Sequence, residues 1–198
     1  MQIYKPFFMI DDSDKDGKAE TIMDYVFSWC FRCTCFEYVR DQQPKLYHYC
    51  KYMLCMLLSK ENEIDNIQFE NVKVWKQEKS IDLWVETELY VNNKIEHHAI
   101  LIENKYYTDI HDNQLKRYKD TFDNYYKDNA DYPQTNLHYA VITCQYEKTD
   151  VYKSIKQQCK ECDERFKIFH LYDLVDNSTK YSPSESDIFN EFFIREWL

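Results

Sequence analysis

Two carboxylates and a lysine sit in a pair of apolar segments, Asp82 in IDLWVETELYV (81–91), Glu103 and Lys105 in KIEHHAILIENKYY (94–107). They can act together only if the chain brings them together. Asn92-Asn93 separates the two segments, and Asn tolerates positive φ better than other residues with a side chain. A two-residue turn there pairs Val91 with Lys94 and carries Asp82 opposite Glu103. Cβ atoms of directly opposed residues lie about 4.5–5.5 Å apart. Side chains repeat every second residue along a strand, so Lys105 shares the face of Glu103. A four-residue turn shifts the register but keeps all three on one face, whereas a bulge in one strand would break the arrangement. Leu83–Ile102 and Val85–Ile100 then cover the opposite face, and Trp84–Leu101 follows on the carboxylate face. Both faces are apolar, which predicts a sheet covered on both sides.

Two enclosed carboxylates repel one another and are costly to desolvate, so a cation should hold them. One solution is a buried Asp/Glu/Lys ion-pair network with no chemistry. The other is a hard divalent ion, because Mg²⁺ is typically held by one or two carboxylates plus substrate phosphates. The geometry alone leaves both open. Downstream, Gln114 and Tyr118 are spaced i, i+4 and share a helix face. Lys116, Arg117 and Lys119 make this the most basic helix turn of the chain, suited to phosphate contacts or to a solvated face.

The elements that must position these residues follow from periodicity. Residues 1–17 form a polar, acid-rich lead-in. Helical spacing runs from Ala19 to about Tyr38, and again after Pro44 to Leu58. Residues 59–66 read as a charged loop. Val72, Val74 and Gln77 read as a strand, followed by strands at 81–91 and 94–107. Asp109 is placed to cap a helix reaching about Tyr126. Strands over 137–144 and 166–172 flank a helix over 148–164, and a last amphipathic helix spans 184–198, including Trp197. This order predicts one α/β domain over 1–198 with a central mixed β-sheet flanked by helices.

Composition removes several function classes. The only glycine is Gly17. That excludes a GxxxxGK[ST] phosphate loop, a GxGxxG dinucleotide turn and a GxSxG nucleophile elbow, so no nucleotide cofactor is expected. The net charge is −10, and a non-specific polyanion binder is usually basic. Binding to nucleic acid would therefore need a local patch, a metal, or both. The longest apolar run, Met53 to Leu58, is far short of the ~20 residues of a membrane span, so no membrane partner and a cytoplasmic location are expected. The two CxxC pairs, Cys30/Cys33 and Cys159/Cys162, are too far apart in sequence for the usual zinc spacing and read as core thiols. His97 and His98 are strand neighbours that point to opposite faces and read as exposed polar residues.

Asp82, then Glu103-Asn104-Lys105 closing an apolar strand (AILIENK), resembles the PD-(D/E)XK nuclease superfamily. Gln114-Leu-Lys-Arg-Tyr118 is similar to the QxxxY motif of its exonuclease-like branch. The resemblance covers roughly 72–145 well and the remainder loosely. It implies a restriction-endonuclease-like α/β core and divalent-metal-dependent hydrolysis of DNA phosphodiesters. Asp82, Glu103 and the backbone carbonyl of Asn104 would hold Mg²⁺ or Mn²⁺. Lys105 would orient the attacking water and stabilise charge on the phosphate. Gln114 and Tyr118 would contact the metal–water shell or the substrate backbone. Members often add an acid from the first helix, for which Glu20 is the candidate and Asp24 the alternative. Ile81 stands where many members have Pro before the Asp. The alternative function is a nuclease-fold protein that no longer cleaves and acts as a nucleic-acid or protein interaction module. A homodimer remains open.

Overall fold

The computed structural model describes residues 19–111, 113–127, 134–176 and 182–195. The lead-in at 1–17 and Trp197 lie outside these residues.

Five strands form one sheet in the spatial order of the chain: β1 (Ile67–Glu78), β2 (Ile81–Val91), β3 (Lys94–Lys105), β4 (Asn136–Thr143) and β5 (Phe166–His170). The first three are antiparallel, and β3, β4 and β5 run parallel. This is the mixed sheet expected from the alternation of elements. The β2–β3 register is the one set by the Asn92-Asn93 turn, with Val91 opposite Lys94 and Leu83 opposite Ile102. Both asparagines are left-handed (φ 50° and 63°), as a tight hairpin turn requires.

The parallel connections are made by α4 (Gln114–Lys127) and α5 (Asp150–Cys162). Both pack on the face that carries Trp84 and Leu101, where Phe122 and Tyr126 of α4 and Ile155 of α5 meet Tyr139 and Val141. Complete burial of one such apolar side chain contributes about 1.5–3 kcal/mol, which fixes α4 against the sheet. The other face, with Leu83, Val85, Ile100 and Ile102, is covered by α1 (Ala19–Cys33), α3 (Pro44–Leu58) and the C-terminal α6 (Asp187–Phe189), which continues as a π-helix over Asn190–Arg195.

Several boundaries differ from expectation. The helix expected over 19–38 is interrupted: α1 ends at Cys33, and α2 (Glu37–Gln42) follows. Thr34 Oγ1 donates to the Phe31 carbonyl at 2.7 Å, and the backbone N–H groups of Thr34, Cys35 and Phe36 bond three residues back rather than four, which tightens the last turn and stops it. The charged segment after α3 closes into a 3-10 helix over Glu61–Asn66. Asp109 does not cap α4, which starts at Gln114. Its carboxylate accepts from Ser154 Oγ (2.7 Å) and Gln158 Nε2 (3.0 Å), tying the preceding loop to α5. His97 is exposed as expected, but His98 is buried because β4 lies alongside and brings His138 to 2.9 Å from its Nδ1. Cys30, Cys33, Cys50 and Cys159 are buried free thiols.

Candidate active site

The beginning of β2 and the end of β3 meet at one end of the sheet, and α1 and α4 begin beside them. There the hairpin places Asp82, Glu103 and Lys105 together. Lys105 Nζ lies 2.8 Å from Glu103 Oε1. Glu103 is 1% exposed and Lys105 4%, so their charges have left bulk water together. Gln114, the first residue of α4, donates from Nε2 to the same Glu103 oxygen at 2.6 Å and to Tyr118 Oη at 3.1 Å. The i, i+4 spacing thus lays an amide and a phenol against the carboxylate.

On the other side, two carboxylates and two amides form a closed ring. Asp24 of α1 accepts from Asn104 Nδ2 at Oδ1 (2.7 Å) and from Gln77 Nε2 at Oδ2 (3.0 Å). Asp82 accepts from Gln77 Nε2 at Oδ1 (2.9 Å) and from the Asn104 backbone N–H at Oδ2 (2.8 Å). Every oxygen of both carboxylates is engaged. Asn104 faces the α1 layer and Asp82 the α4 layer, so Gln77 must reach around the end of the sheet. Its backbone is left-handed (φ 57°), a conformation costly for a residue with a side chain. Glu20 lies at the rim, where its Oε1 accepts from the Tyr106 backbone N–H at 3.2 Å and from Thr108 Oγ1. The structure therefore brings Asp24, the alternative first-helix acid, into the ring and leaves Glu20 bonded to the loop after β3. Sequence reasoning missed Gln77 and the Asn104 side chain. Gln77 read as an ordinary strand position, because nothing in a single sequence announces a left-handed glutamine.

Charge crowding dominates the electrostatics. Burial and the neighbouring Asp82 push the Glu103 carboxyl up to about 8, outweighing the Lys105 ammonium that favours the anion. Burial and Asp82 likewise raise Asp24 to about 7, against the two amide donors. Burial raises Asp82, and the Asn104 N–H and Gln77 amide oppose it. For Lys105, burial favours the neutral amine, but Glu103, joined by Glu20 and Asp82, carries its pKa above the ordinary value. Three carboxyls share one ammonium, so the cluster has room for another positive charge.

A model of the PD-(D/E)XK nuclease superfamily matches residues 26–197. The chain belongs to that superfamily. No curated protein and no solved structure matches the chain. The mixed sheet with helices on both faces is consistent with the superfamily's restriction-endonuclease-like fold. PD-(D/E)XK proteins are usually phosphodiester hydrolases and typically use divalent metals.

The donor set suits such an ion. Glu103 Oε2 is buried without a hydrogen-bond partner, beside Asp82. The available donors are hard oxygens, the type that binds Mg²⁺ and Mn²⁺. No three His, Cys, Asp or Glu side chains among the described residues form a metal-holding group. The donors that the resemblance implies, Asp82, Glu103 and the Asn104 carbonyl, are few, and Mg²⁺ accepts such sparse protein coordination because it keeps several waters.

Proposed function

We propose that this PD-(D/E)XK protein is a divalent-metal-dependent deoxyribonuclease whose site is built from Asp82, Glu103, Lys105, Gln114 and Tyr118. The observation that carries the reading is Glu103: a buried carboxylate with one oxygen held by Lys105 and Gln114 and the other without a partner beside Asp82. Asp82, Glu103 and the Asn104 carbonyl would hold Mg²⁺ or Mn²⁺. A divalent ion there supplies Lewis-acid polarisation of a phosphoryl oxygen and a lowered pKa for bound water.

The chain's own residues do the rest. Lys105 presents a fixed ammonium to the oxygens that gain charge on the phosphate, in a site where burial strengthens its field. Gln114 orients the Glu103 carboxylate, and Tyr118, held by the same amide, would offer its phenol to a substrate oxygen. Gln77 and Asn104 keep Asp82 and Asp24 from separating. Glu20, linked to the loop after β3, adds negative potential around Lys105.

The test is linear and plasmid DNA incubated with Mg²⁺ or Mn²⁺. The wild type should cut, and Lys105→Ala should not. Cleavage unchanged in Lys105→Ala refutes the assignment. A net charge of −10 favours a second reading, a nuclease fold that binds or interacts without cutting, because such a surface repels a phosphate backbone. Mn²⁺ titration by calorimetry separates the two: binding that disappears in Glu103→Ala supports the hydrolase.

A further inference from the structure

Edge strand β1 carries Lys73, Trp75 and Gln77 at alternate positions, and Gln77 ends that row at Asp82. Trp75 is registered opposite Trp84, which lies two residues along β2 from Asp82 on the same face, about 7 Å away. Tyr125 of α4, two helical turns beyond Tyr118, packs edge-on against Trp84 with ring centroids 5.0 Å apart. Trp75, Trp84 and Tyr125, with Glu78, Lys79 and Glu86, line a cavity of about 170 Å³. Trp75 and Tyr125 keep 38% and 37% of their surface in solvent. The Lys79 ammonium lies over the rings of both Tyr125 (4.9 Å) and Trp84 (5.4 Å). Its backbone is left-handed (φ 52°), as is that of Ser80 (φ 69°). Gly would adopt this two-residue turn without strain, so the strain accompanies a side chain directed at the aromatic rings.

We propose that this cavity is a slot for an unpaired nucleobase beside the candidate active site, which makes the substrate single-stranded at the point of cutting. The inference rests on the nuclease reading. Exposed aromatic faces interleaved with lysines are how proteins hold single strands, since every base has a face to stack. The remaining lining decides which part of a nucleotide enters. Glu78 and Glu86 repel a phosphate but accept hydrogen bonds from an exocyclic amine, so the base enters and the backbone stays outside. Glu86 is already oriented by Tyr126 Oη, which donates to it at 2.8 Å. Lys79 disfavours a cationic guest over the same rings. The separation from Asp82 corresponds to about two nucleotide rises of ~3.4 Å. A base inside a duplex is stacked on both faces and cannot enter without flipping out.

The test is fluorescence anisotropy in EDTA, where nothing is cut, with three labelled probes: a short single strand, its duplex, and the same strand made abasic. The single strand should bind about tenfold or more tightly than the abasic strand. Trp75→Ala should erase that difference while melting as the wild type does, Tyr125→Ala should erase it at some loss of stability, and Trp75→Phe should restore most of it. Equal binding of base-bearing and abasic strands, or an unaltered preference in Trp75→Ala, overturns the slot. A duplex bound as tightly as the single strand overturns the single-strand assignment. A retained base preference together with no cleavage in Mn²⁺ overturns the nuclease reading and leaves the slot standing.

Discussion

Asp24→Asn should make the metal-free protein more stable, and more so as the pH rises. The Asp24 carboxyl is 1% exposed and lies beside Asp82, and its pKa is carried from an ordinary 3.8 to about 7. A carboxyl whose folded value is raised binds its proton more tightly in the folded state. Its penalty is absent below about pH 3.8, grows as the pH rises, and levels off above about 7. A difference of about three pKa units at about 1.4 kcal/mol each gives about 4 kcal/mol above pH 8. That figure is an upper bound, because Asp82 shares the same repulsion and relaxes when Asp24 is neutralised. Asn preserves the shape, and its amide hydrogens have an acceptor ready. Asn104 Oδ1 is buried without a partner and can turn to receive them.

The assay is urea unfolding of the wild type and of Asp24→Asn in EDTA between pH 4.5 and 8.5. The two should be close at the acidic end, and the variant should be more stable by about 2–4 kcal/mol at the basic end. A difference that is flat with pH, or a variant less stable than the wild type at pH 8, refutes the account of the ring as a crowded anionic cluster. If the variant is also slower on DNA, the stability given up by the wild type is a cost of keeping acid groups together for function.

Three further outcomes follow from the same geometry. Gln77→Gly relieves about 1 kcal/mol of left-handed strain but removes both amide bridges to the carboxylates, at about 1–3 kcal/mol each, so thermal stability should fall and Mn²⁺-dependent cleavage should drop at least about tenfold. Tyr126→Phe leaves the buried Trp84 Nε1–H without its 2.8 Å acceptor and should cost about 1–3 kcal/mol in urea unfolding without altering Mn²⁺ affinity. Mn²⁺ at a hundredfold excess over its dissociation constant should stabilise the wild type by about 2.7 kcal/mol, and at the same concentration Glu103→Gln should show little of that shift in a thermal melt.

The hairpin was legible because its two determinants are local. Asn92-Asn93 fixes the register, and strand alternation does the rest, so the pairing that carries Asp82 towards Glu103 follows without tertiary knowledge. The mixed sheet followed from the order of periodic segments. What could not be read depends on contacts distant in sequence. His98 looked like an exposed strand residue because burial by His138 requires knowing that β4 lies alongside β3. Asp24 and Glu20 occupy adjacent turns of the same helix, and only the packing angle of α1 turns Asp24 towards Asn104 while Glu20 meets the Tyr106 backbone. Asp109 has good N-cap chemistry, but α5 offers Ser154 and Gln158 as donors, and that competition moves the helix start to Gln114.

The scarcity of glycine links these observations. A chain with one glycine must still reverse direction, and the described residues do so with side-chain-bearing residues at positive φ: Ser59, Gln77, Lys79, Ser80, Asn92, Asn93 and Asn113. Ser59 ends α3 and the two asparagines turn a hairpin, where glycine would serve as well. The other four flank the candidate site: Gln77 near the end of β1, Lys79 and Ser80 in the connection to β2 before Asp82, and Asn113 immediately before Gln114. At two of them the side chain makes a contact that glycine could not. Gln77 bridges Asp24 to Asp82, and Lys79 lies over Trp84 and Tyr125. Each such position costs about 1–2 kcal/mol that glycine would avoid. A fold under no functional demand gains stability by replacing them, whereas here replacement disconnects the carboxylate ring at Gln77 and removes the cation from the aromatic cavity at Lys79. Comparing glycine substitutions at Gln77 and Lys79 with one at Asn93 therefore separates strain retained for side-chain chemistry from strain that only turns the chain. Asn93→Gly should hold or gain stability and leave DNA binding and cutting unchanged, whereas Gln77→Gly should lose stability with its two bridges, and only the substitutions at Gln77 and Lys79 should change how DNA is bound or cut.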